Sequence, residues 1–388
     1  MNVGFGLLTL FPGRVGGSET YVRGLLDEYA AGNGPERVTV LANRHVERSY
    51  RDVAGGPVSL RPVRSYRAGD SDLTRALAMA SARLLPALAE RDLPRDLDVL
   101  HLPVTVPIPR QRGATVVTIH EVQVHSHPEF VSAAARRYRR WAYDGAAREA
   151  TLVVAVSGYV ADRLVEIVGV ERERIEVVHL GIDHARFRPG PVPGDDGRLA
   201  GLPLPDRFVV YPANAWPHKR HLALIEAIAR VPGDLGLVLA GQDYGRGDEL
   251  ADHARRAGAG ERVTHVGHVD GDTVAALYRR ARALVYPSLH EGFGAPPVEA
   301  MACGCPVASA LNTSLVEVCG DAALELDPLD PEAMAESIRR IDEDVRLRAS
   351  LAEAGLARAA RFSWAAAASR HRAIYERAAA TPPPATRS

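Results

Sequence analysis

The residues best suited to chemistry lie around one lysine in the second half of the chain. Lys219 is the only lysine among 47 lysine and arginine residues. Where arginine serves everywhere else, a retained lysine indicates a position that needs a compact ammonium rather than a planar guanidinium. Pro217 suits the first turn of a helix and places Lys219 there, just after the apolar run Arg207–Tyr211. We predict that Lys219 binds phosphate, the alternative being an exposed lysine; Arg220 is its partner or is merely exposed.

A glycine-rich segment with two carboxylates is the strongest pattern. It follows the apolar run Ala283–Tyr286, and its sequence is His290-Glu291-Gly292-Phe293-Gly294-Ala295-Pro296-Pro297-Val298-Glu299. The two prolines predict a helix with Glu299 in its first turn and Glu291 in the loop before it. We expect both carboxylates to accept hydrogen bonds from ligand hydroxyls, while the loop amides and the helix dipole bind phosphate. Carboxylates beside phosphates fit a sugar nucleotide, whereas stabilisation of a helix start explains Glu299 alone.

A two-glycine turn near the N-terminus is a weaker signal. Gly16 and Gly17 separate the apolar run Asn2–Leu10 from an amphipathic stretch, Ser18–Ala30. Glycines there let the backbone approach a ligand, and the helix N-terminus beyond them presents N–H groups to an anion. The pattern is therefore compatible with a phosphate site, although a two-glycine segment is more often just a turn.

One histidine lies where substrates bind in α/β proteins. His120 and Glu121 follow the apolar run Thr115–Ile119, at the carboxyl end of a predicted strand. The histidine is either catalytic or structural. Because His125 and His127 form no convincing ligand set with it, we predict no metal site.

The elements that position these residues follow a β-α alternation. Short apolar runs recur between helical patterns, and the predicted strands are 2–10, 37–42, 99–102, 115–119, 152–157, 175–179, 207–211, 235–240, 262–266, 283–286 and 306–308. This alternation predicts parallel sheets covered by helices. The proline- and glycine-rich stretch 186–206 predicts a linker between domains at 1–185 and 207–364, and we expect a disordered tail at 381–388.

Composition limits the class of protein. The chain has 388 residues, 46% of them hydrophobic and 24% charged, which suits two or three soluble domains and excludes a largely disordered chain. With 47 basic and 48 acidic residues the chain has no strong positive electrostatic field that would attract nucleic acid. Cys303, Cys305 and Cys319 form neither a disulfide framework nor a C-x-x-C motif. Since the N-terminus lacks a signal-peptide pattern and no apolar run is long enough to span a bilayer, we expect a cytoplasmic protein.

These motifs resemble the retaining glycosyltransferases of family 4, also called group 1, over nearly the whole chain. The resemblance rests on Gly16-Gly17, Ile119-His120-Glu121, Val156-Ser157, Leu180-Gly181-Ile182-Asp183, Pro217-His218-Lys219, the E-x7-E pair Glu291 and Glu299, and Phe362-Ser363-Trp364 near the end. It implies an α/β GT-B fold: two Rossmann-like domains, for acceptor and for nucleotide-sugar donor, facing a central cleft. It also implies that a helix at 365–380 crosses back to the first domain.

The resemblance also implies roles for individual residues. Glu299 would bind the donor's ribose, Glu291 would contact the transferred sugar, and Lys219 would neutralise the diphosphate. Other implied roles are Gly292, Phe293 and Gly294 along sugar and phosphate, Gly16 and Gly17 at the phosphates, His120 at the reacting carbon, and Gly267, His268 and Val269 near the base. Asn214 stands near where many relatives have a phosphate-binding arginine. No cofactor and no metal are implied beyond the sugar nucleotide as co-substrate.

The implied reaction is transfer of a hexose to an acceptor hydroxyl, with GDP-mannose as the first donor expected and a UDP-sugar next. The acceptor would be a glycan, a lipid-linked sugar or a small molecule, as in carbohydrate biosynthesis. The alternatives are an epimerase or hydrolase of the same fold, and a catalytically silent partner that binds sugar nucleotides. Arg136, Arg137, Arg139 and Arg140 beside Trp141 predict either peripheral contact with the inner face of a membrane or a solvated helix face.

Overall fold

The computed structural model describes residues 1–13, 16–64, 77, 80, 93–106, 109, 111 and 113–382. The chain divides into two compact units, Met1–Gly181 with Trp364–Ser388, and Ile182–Ser363. Most of the predicted disordered tail, from residue 383 onward, lies outside the described residues.

The first unit is built on a parallel sheet of seven strands in the order β3-β2-β1-β4-β5-β6-β7. The strands are β1 Asn2–Leu7, β2 Arg37–Ala42, β3 Val58–Pro62, β4 Val99–Leu102, β5 Ala114–Ile119, β6 Leu152–Ala155 and β7 Ile175–Val177. The α-helices outside the undescribed segments are Gly17–Ala30, Arg44–Ser49, Gln123–Ser126, Ala133–Arg139, Gly145–Glu149, Gly158–Arg163 and Trp364–Ala380. Every residue of β4 and of β6 is buried, as expected for central strands of a sheet covered on both faces.

The second unit repeats this plan with six parallel strands in the order β10-β9-β8-β11-β12-β13. They are β8 Phe208–Pro212, β9 Gly236–Ala240, β10 Val263–His265, β11 Leu284–Tyr286, β12 Val307–Ser309 and β13 Leu324–Glu325. The helices are Asp195–Leu199, His221–Arg230, Gly247–Arg256, Gly271–Arg280, Ala295–Ala302, Leu315–Cys319, Pro331–Glu343 and Val345–Ala359. The predicted α/β class is confirmed, and each predicted strand is present within a few residues of its predicted ends.

The strand order reverses direction once in each sheet. The chain moves outward from β1 to β3 and then returns to place β4 on the other side of β1, and in the same way β11 lies beside β8. Loops at the carboxyl ends of strands that flank such a reversal diverge and leave a crevice where ligands bind in α/β proteins. The Gly16-Gly17 turn follows β1, Lys219 follows β8, and Glu291 follows β11.

The stretch 186–206 is not the free linker that its composition predicts. It contains the helix Asp195–Leu199 and belongs to the second unit. The Arg279 guanidinium donates to both carboxylate oxygens of Asp195, at 2.6 and 2.7 Å, and the Arg279 side chain is only 9% exposed. A bidentate pair with so little solvent exposure docks the segment, so the boundary lies at Gly181 and Ile182.

The C-terminal helix Trp364–Ala380 packs within the first unit, in agreement with the predicted return of the chain to its first domain. Its His371 Nε2 lies 2.6 Å from the Tyr21 hydroxyl, and its Tyr375 hydroxyl lies 2.8 Å from His101 Nδ1. All four side chains are buried. Polar groups without access to water must pair with one another, and this network therefore fixes where the helix docks.

Gly24 leaves room for that helix, and its replacement by alanine should be destabilising. An added Cβ would lie 2.2 Å from Cε2 of Trp364. The clash should outweigh the better helix propensity of alanine and lower the free energy of unfolding by about 1–3 kcal/mol. Gly197→Ala is a matched control, since its added Cβ meets nothing within 4 Å. Thermal unfolding of the two variants measures the difference, and equal melting temperatures would contradict the prediction.

Candidate active site

Lys219 lies in a single 3₁₀ turn, Pro217–Lys219, at the carboxyl end of β8. The prediction that it belongs to the first turn of the following helix is wrong, because Arg220 adopts a left-handed conformation with φ 58° and the helix begins at His221. Tyr211 stabilises the turn, because its hydroxyl donates to the Lys219 carbonyl at 2.7 Å. The ammonium is therefore presented by a braced loop rather than by a helix.

The side chains of Lys219 and Glu291 contact each other directly. The ammonium donates to Glu291 Oε1 and, at 3.3 Å, to the Tyr286 hydroxyl, which in turn donates to Glu291 Oε1 at 2.8 Å. The Lys219 and Glu291 side chains are 14% and 13% exposed. Tyr286 is the last residue of β11, so this triad lies at the strand reversal between β8 and β11. The sequence predicted both charged residues but not their contact or the tyrosine.

The triad keeps Glu291 ionised. Burial alone would raise the pKa of this carboxyl, but the Lys219 charge and the hydrogen bonds from Lys219 and Tyr286 outweigh burial and hold the pKa below its usual value. A carboxylate paired in this way accepts hydrogen bonds from hydroxyl groups and helps to keep a cation oriented beside it. This chemistry suits a ligand that carries both hydroxyls and phosphate.

The loop after β12 holds the Glu291 loop in place. The Glu291 N–H donates to the Thr313 hydroxyl at 3.2 Å, and the Ser314 hydroxyl contacts the carbonyls of Glu291 and Phe293, each at 3.0 Å. Thr313 has a φ of 47°, which is rare for a β-branched residue and is typical of over-determined functional loops. Sequence reasoning missed these two residues, although a run of polar residues after a buried strand was available as a signal.

The helix after this loop begins at Ala295, and Glu299 lies in its second turn rather than in its first as predicted. The reason is Gly294, whose φ of 89° makes it the residue that precedes the helix. Because Pro296 and Pro297 then occupy the first turn and have no N–H, this helix start offers few donors to an anion. More of the charge compensation for a phosphate falls on Lys219.

Glu299 differs electrostatically from Glu291. Burial raises its pKa to about 7, against the smaller opposing effects of the Tyr278 hydroxyl and of Arg186. The Tyr278 hydroxyl lies 3.4 Å from Glu299 Oε2. The two carboxyls of the E-x7-E pair thus have pKa values shifted in opposite directions, and only Glu299 titrates near neutral pH.

Other predicted donor residues follow the carboxyl ends of neighbouring strands. Asn214 follows β8 and accepts from the Gln242 N–H at 2.9 Å, so it joins the loops after β8 and β9. Gly267, with φ 72°, lies in the loop after β10, followed by His268 and Val269.

Two of the predicted contacts involve side chains with structural partners. The Phe293 ring is buried and packs edge-on against Phe362 with centroids 5.6 Å apart. Arg220 Nε donates to the Pro328 carbonyl at 3.1 Å. That contact orients the Arg220 guanidinium towards the loop after β13.

In the first unit, His120 and the Gly16-Gly17 turn lie at carboxyl ends of strands. His120 Nε2 lies 2.7 Å from the Pro103 carbonyl, and burial lowers the pKa of the ring to about 4, so the imidazole is neutral at physiological pH. Gly16 has a φ of 54° and precedes the helix that begins at Gly17. Among the residues that the structure describes, a Cβ at Gly17 would meet nothing within 4 Å. No group of three or more His, Cys, Asp or Glu side chains among the described residues could hold a metal ion.

Comparison with known proteins bears directly on both units. A model of the group 1 glycosyl transferases matches residues 199–358, and a model of glycosyltransferase family 4 matches residues 15–186. The chain belongs to the family 4, group 1 glycosyltransferases. The two matches together reach both sheets, with β1 lying before the first matched residue, and they include every predicted site residue.

Individual relatives of this glycosyltransferase differ in their substrates. O-antigen chain mannosyltransferase B of Escherichia coli is 28% identical over 66% of this chain and 68% of that protein. D-inositol 3-phosphate glycosyltransferase of Salinispora arenicola is 34% identical over 56% of this chain and 52% of that protein, so the chain spans about half the length of the latter relative.

Solved structures establish the GT-B fold of the glycosyltransferase. Sucrose-phosphate synthase from Thermosynechococcus elongatus has a TM-score of 0.77 and 22% identity, with 97% of this chain and 98% of that chain covered. Anabaena HepE in complex with UDP and glucose has a TM-score of 0.73 and 21% identity, with 97% and 100% covered. In the described part of the chain, no helix has the length and apolar composition to cross a membrane.

Proposed function

We propose that this enzyme is a retaining, metal-independent hexosyltransferase that uses a nucleoside-diphosphate sugar. The observation that carries the proposal is the triad of Lys219, Glu291 and Tyr286 at the strand reversal of the second sheet. An ammonium with a carboxylate beside it matches a donor that has a charged diphosphate next to a sugar rich in hydroxyls. HepE, a structural neighbour, binds UDP and glucose, which supports a nucleotide sugar as the donor class.

In the proposed reaction the residues stabilise charge rather than form bonds. The acceptor oxygen bonds to the anomeric carbon on the face from which the bond to the diphosphate breaks, and the acceptor proton passes to a departing phosphate oxygen. Lys219 offsets the negative charge that develops on the diphosphate, which is the role of a divalent ion in other transferases. Glu291 holds sugar hydroxyls, and Glu299 holds the ribose. We assign His120 to the transferred sugar, and Gly16 and Gly17 to the phosphates.

GDP-mannose is the proposed donor, since a relative is named as a mannosyltransferase. The purified enzyme should be incubated with GDP-mannose, UDP-glucose or UDP-N-acetylglucosamine and a panel of acceptors in EDTA, and the anomeric configuration of the product determined by NMR. Transfer from one donor with retention supports the proposal. Inverted product, or activity that requires added metal, would contradict it. Conversion of the donor without an acceptor would favour the epimerase or hydrolase alternative.

Contact with a membrane surface is a separate part of the proposal. Arg137, Arg140 and Trp141 are exposed on consecutive helical turns that begin at Ala133. We propose that this face contacts anionic lipid when the acceptor is lipid-linked. Co-sedimentation with vesicles that contain phosphatidylglycerol should be lost in Arg137→Glu/Arg140→Glu, while vesicles of phosphatidylcholine should not bind either protein. Equal sedimentation of both proteins would indicate a solvated helix face.

The affinity for nucleotide should fall below neutral pH because of Glu299. Ribose hydroxyls donate to the ionised carboxylate, and burial raises the pKa of this group to about 7 in the free enzyme. Below pH 7, binding must release a proton from the Glu299 carboxyl. The dissociation constant for the nucleotide should therefore rise by up to about tenfold for each unit that the pH falls from 7 towards the usual pKa range of a carboxyl group, and it should be constant above pH 7. Calorimetry between pH 5.5 and 8 measures this, and Glu299→Gln should remove the dependence. A slope that persists in Glu299→Gln would assign the proton to another group.

A further inference from the structure

The loop after β4 contains a strained turn that the proposed chemistry does not explain. Thr105 has a φ of 67° and is only 5% exposed, and the Val106 N–H donates to the Val104 carbonyl at 2.8 Å. A hydrogen bond between residues two apart around a positive φ defines the rarer and more strained of the two γ-turns. A β-branched residue is especially unfavourable in that region. Such strain persists only where the surroundings fix it, and it concentrates at functional sites.

The Thr105 hydroxyl supplies the interaction that fixes the turn. It donates to the Thr118 carbonyl at 2.7 Å. Leu102 of β4 and Val117 of β5 are the last paired residues of the two strands, and Thr118 is the next residue of β5. Thr118 is itself held from the other side, because its hydroxyl lies 2.9 Å from the Tyr21 hydroxyl and 2.8 Å from His101 Nε2. The hydroxyl of Thr105 thus extends the β4-β5 pairing where the backbone of β4 turns away.

The turn and β5 together determine the environment of His120. Pro103, two residues before Thr105, directs its carbonyl to His120 Nε2 at 2.7 Å. A carbonyl only accepts hydrogen bonds, so Nε2 must carry the proton, and Nδ1 of the neutral ring is the nitrogen able to accept one. The Tyr21 ring lies edge-on to the His120 ring with centroids 5.0 Å apart and limits its rotation.

We propose that Thr105 is a positioning residue that fixes the tautomer and orientation of His120 through the Pro103 carbonyl. With Nε2–H held, Nδ1 is available to accept a hydrogen bond from a hydroxyl of the transferred sugar. Only this last step rests on the proposed function. The tautomer itself is a property of the free enzyme and can be measured without any substrate.

Three substitutions separate the hydroxyl from the strain. Thr105→Ser keeps the hydroxyl, Thr105→Val keeps the branched shape without the hydroxyl, and Thr105→Gly relieves the positive φ but also removes the hydroxyl. Because glycine accepts this backbone conformation, Thr105→Gly should fold even if Thr105→Val does not. Circular dichroism and melting temperature establish that each variant is folded.

The readout is the long-range ¹H–¹⁵N spectrum of protein labelled at histidine, with the His120 signals assigned by their loss in His120→Gln. The native enzyme and Thr105→Ser should show His120 with its proton on Nε2. In Thr105→Val and Thr105→Gly the two ring nitrogens should shift towards averaged values. Unchanged His120 signals in both hydroxyl-free variants would overturn the proposal.

Kinetics supplies the second readout. The hydroxyl-free variants should lose about ten- to a hundredfold in kcat with a nearly unchanged donor KM, because the donor still binds but its sugar is misplaced. Thr105→Ser should remain within about threefold of the native enzyme. A Thr105→Ser variant as impaired as Thr105→Val would contradict the positioning role. If the native enzyme transferred no sugar at all, the proposed function would fail while the tautomer result would still stand or fall by itself.

Discussion

Replacing Lys219 by alanine should lower kcat/KM for sugar transfer by about a hundred- to a thousandfold. The Lys219 ammonium contacts Glu291 and Tyr286 at the reversal between β8 and β11. Its removal takes away the charge that meets the departing diphosphate. Steady-state kinetics with the best donor in EDTA measures the loss. Arg256→Ala, which removes an exposed cation from the same unit, should stay within about twofold and serves as the matched control.

Two further variants show whether the effect is on chemistry or on folding. Lys219→Ala leaves the Glu291 carboxylate buried without its cation, which should lower the melting temperature. Adding Glu291→Gln removes the unpaired charge and should restore much of the stability without restoring activity. Lys219→Arg keeps the charge but replaces a compact ammonium with a planar guanidinium. We expect this variant to have less than a tenth of native kcat/KM. Native activity in Lys219→Ala or in Lys219→Arg would contradict the assignment of Lys219 to the diphosphate.

Replacing Glu291 by glutamine should lower kcat by about a hundredfold or more and should change donor affinity much less. The side chain is nearly isosteric, but it loses the negative charge that its depressed pKa maintains in the native enzyme. We expect the loss to appear in kcat because the carboxylate contacts the sugar whose bond is broken.

Glu299→Gln is the matched comparison for that change. It alters the other carboxyl of the same motif, and its effect should fall on the donor KM, since Glu299 is assigned to the ribose. Tyr286→Phe, which removes only the hydroxyl that donates to Glu291 at 2.8 Å, should cost about five- to tenfold. Steady-state kinetics on the three variants separates the roles. If Glu291→Gln and Glu299→Gln changed the same parameter by the same factor, the division of labour between them would be wrong.

Much of the fold could be predicted because buried parallel strands are continuous apolar runs. β4, β6 and β9 are buried at every position, and each was predicted with nearly correct ends. β3 and β13 were missed for the opposite reason. β3 is an edge strand with exposed residues and a terminal proline, and β13 has only two residues, so neither forms a continuous apolar run.

The candidate site could be predicted residue by residue, but its contacts could not. A single lysine and the E-x7-E pair indicated Lys219, Glu291 and Glu299. The salt bridge between Lys219 and Glu291 depends on β8 and β11 being neighbours, which is set by strand order rather than by local sequence. The same holds for the opposite pKa shifts of the two glutamates, since burial and a neighbouring charge exist only in the folded chain. The strained turn at Thr105 has no sequence signal, because threonine is not a residue typical of positive φ.

Calorimetric titration with GDP, UDP and dTDP in EDTA tests the central claim most directly, with the native enzyme compared to Lys219→Ala and Glu299→Ala. One nucleotide should bind to the native enzyme without metal, and each substitution should weaken that binding by about tenfold or more. Binding that ignores both substitutions, or that appears only when a divalent metal is added, would contradict it.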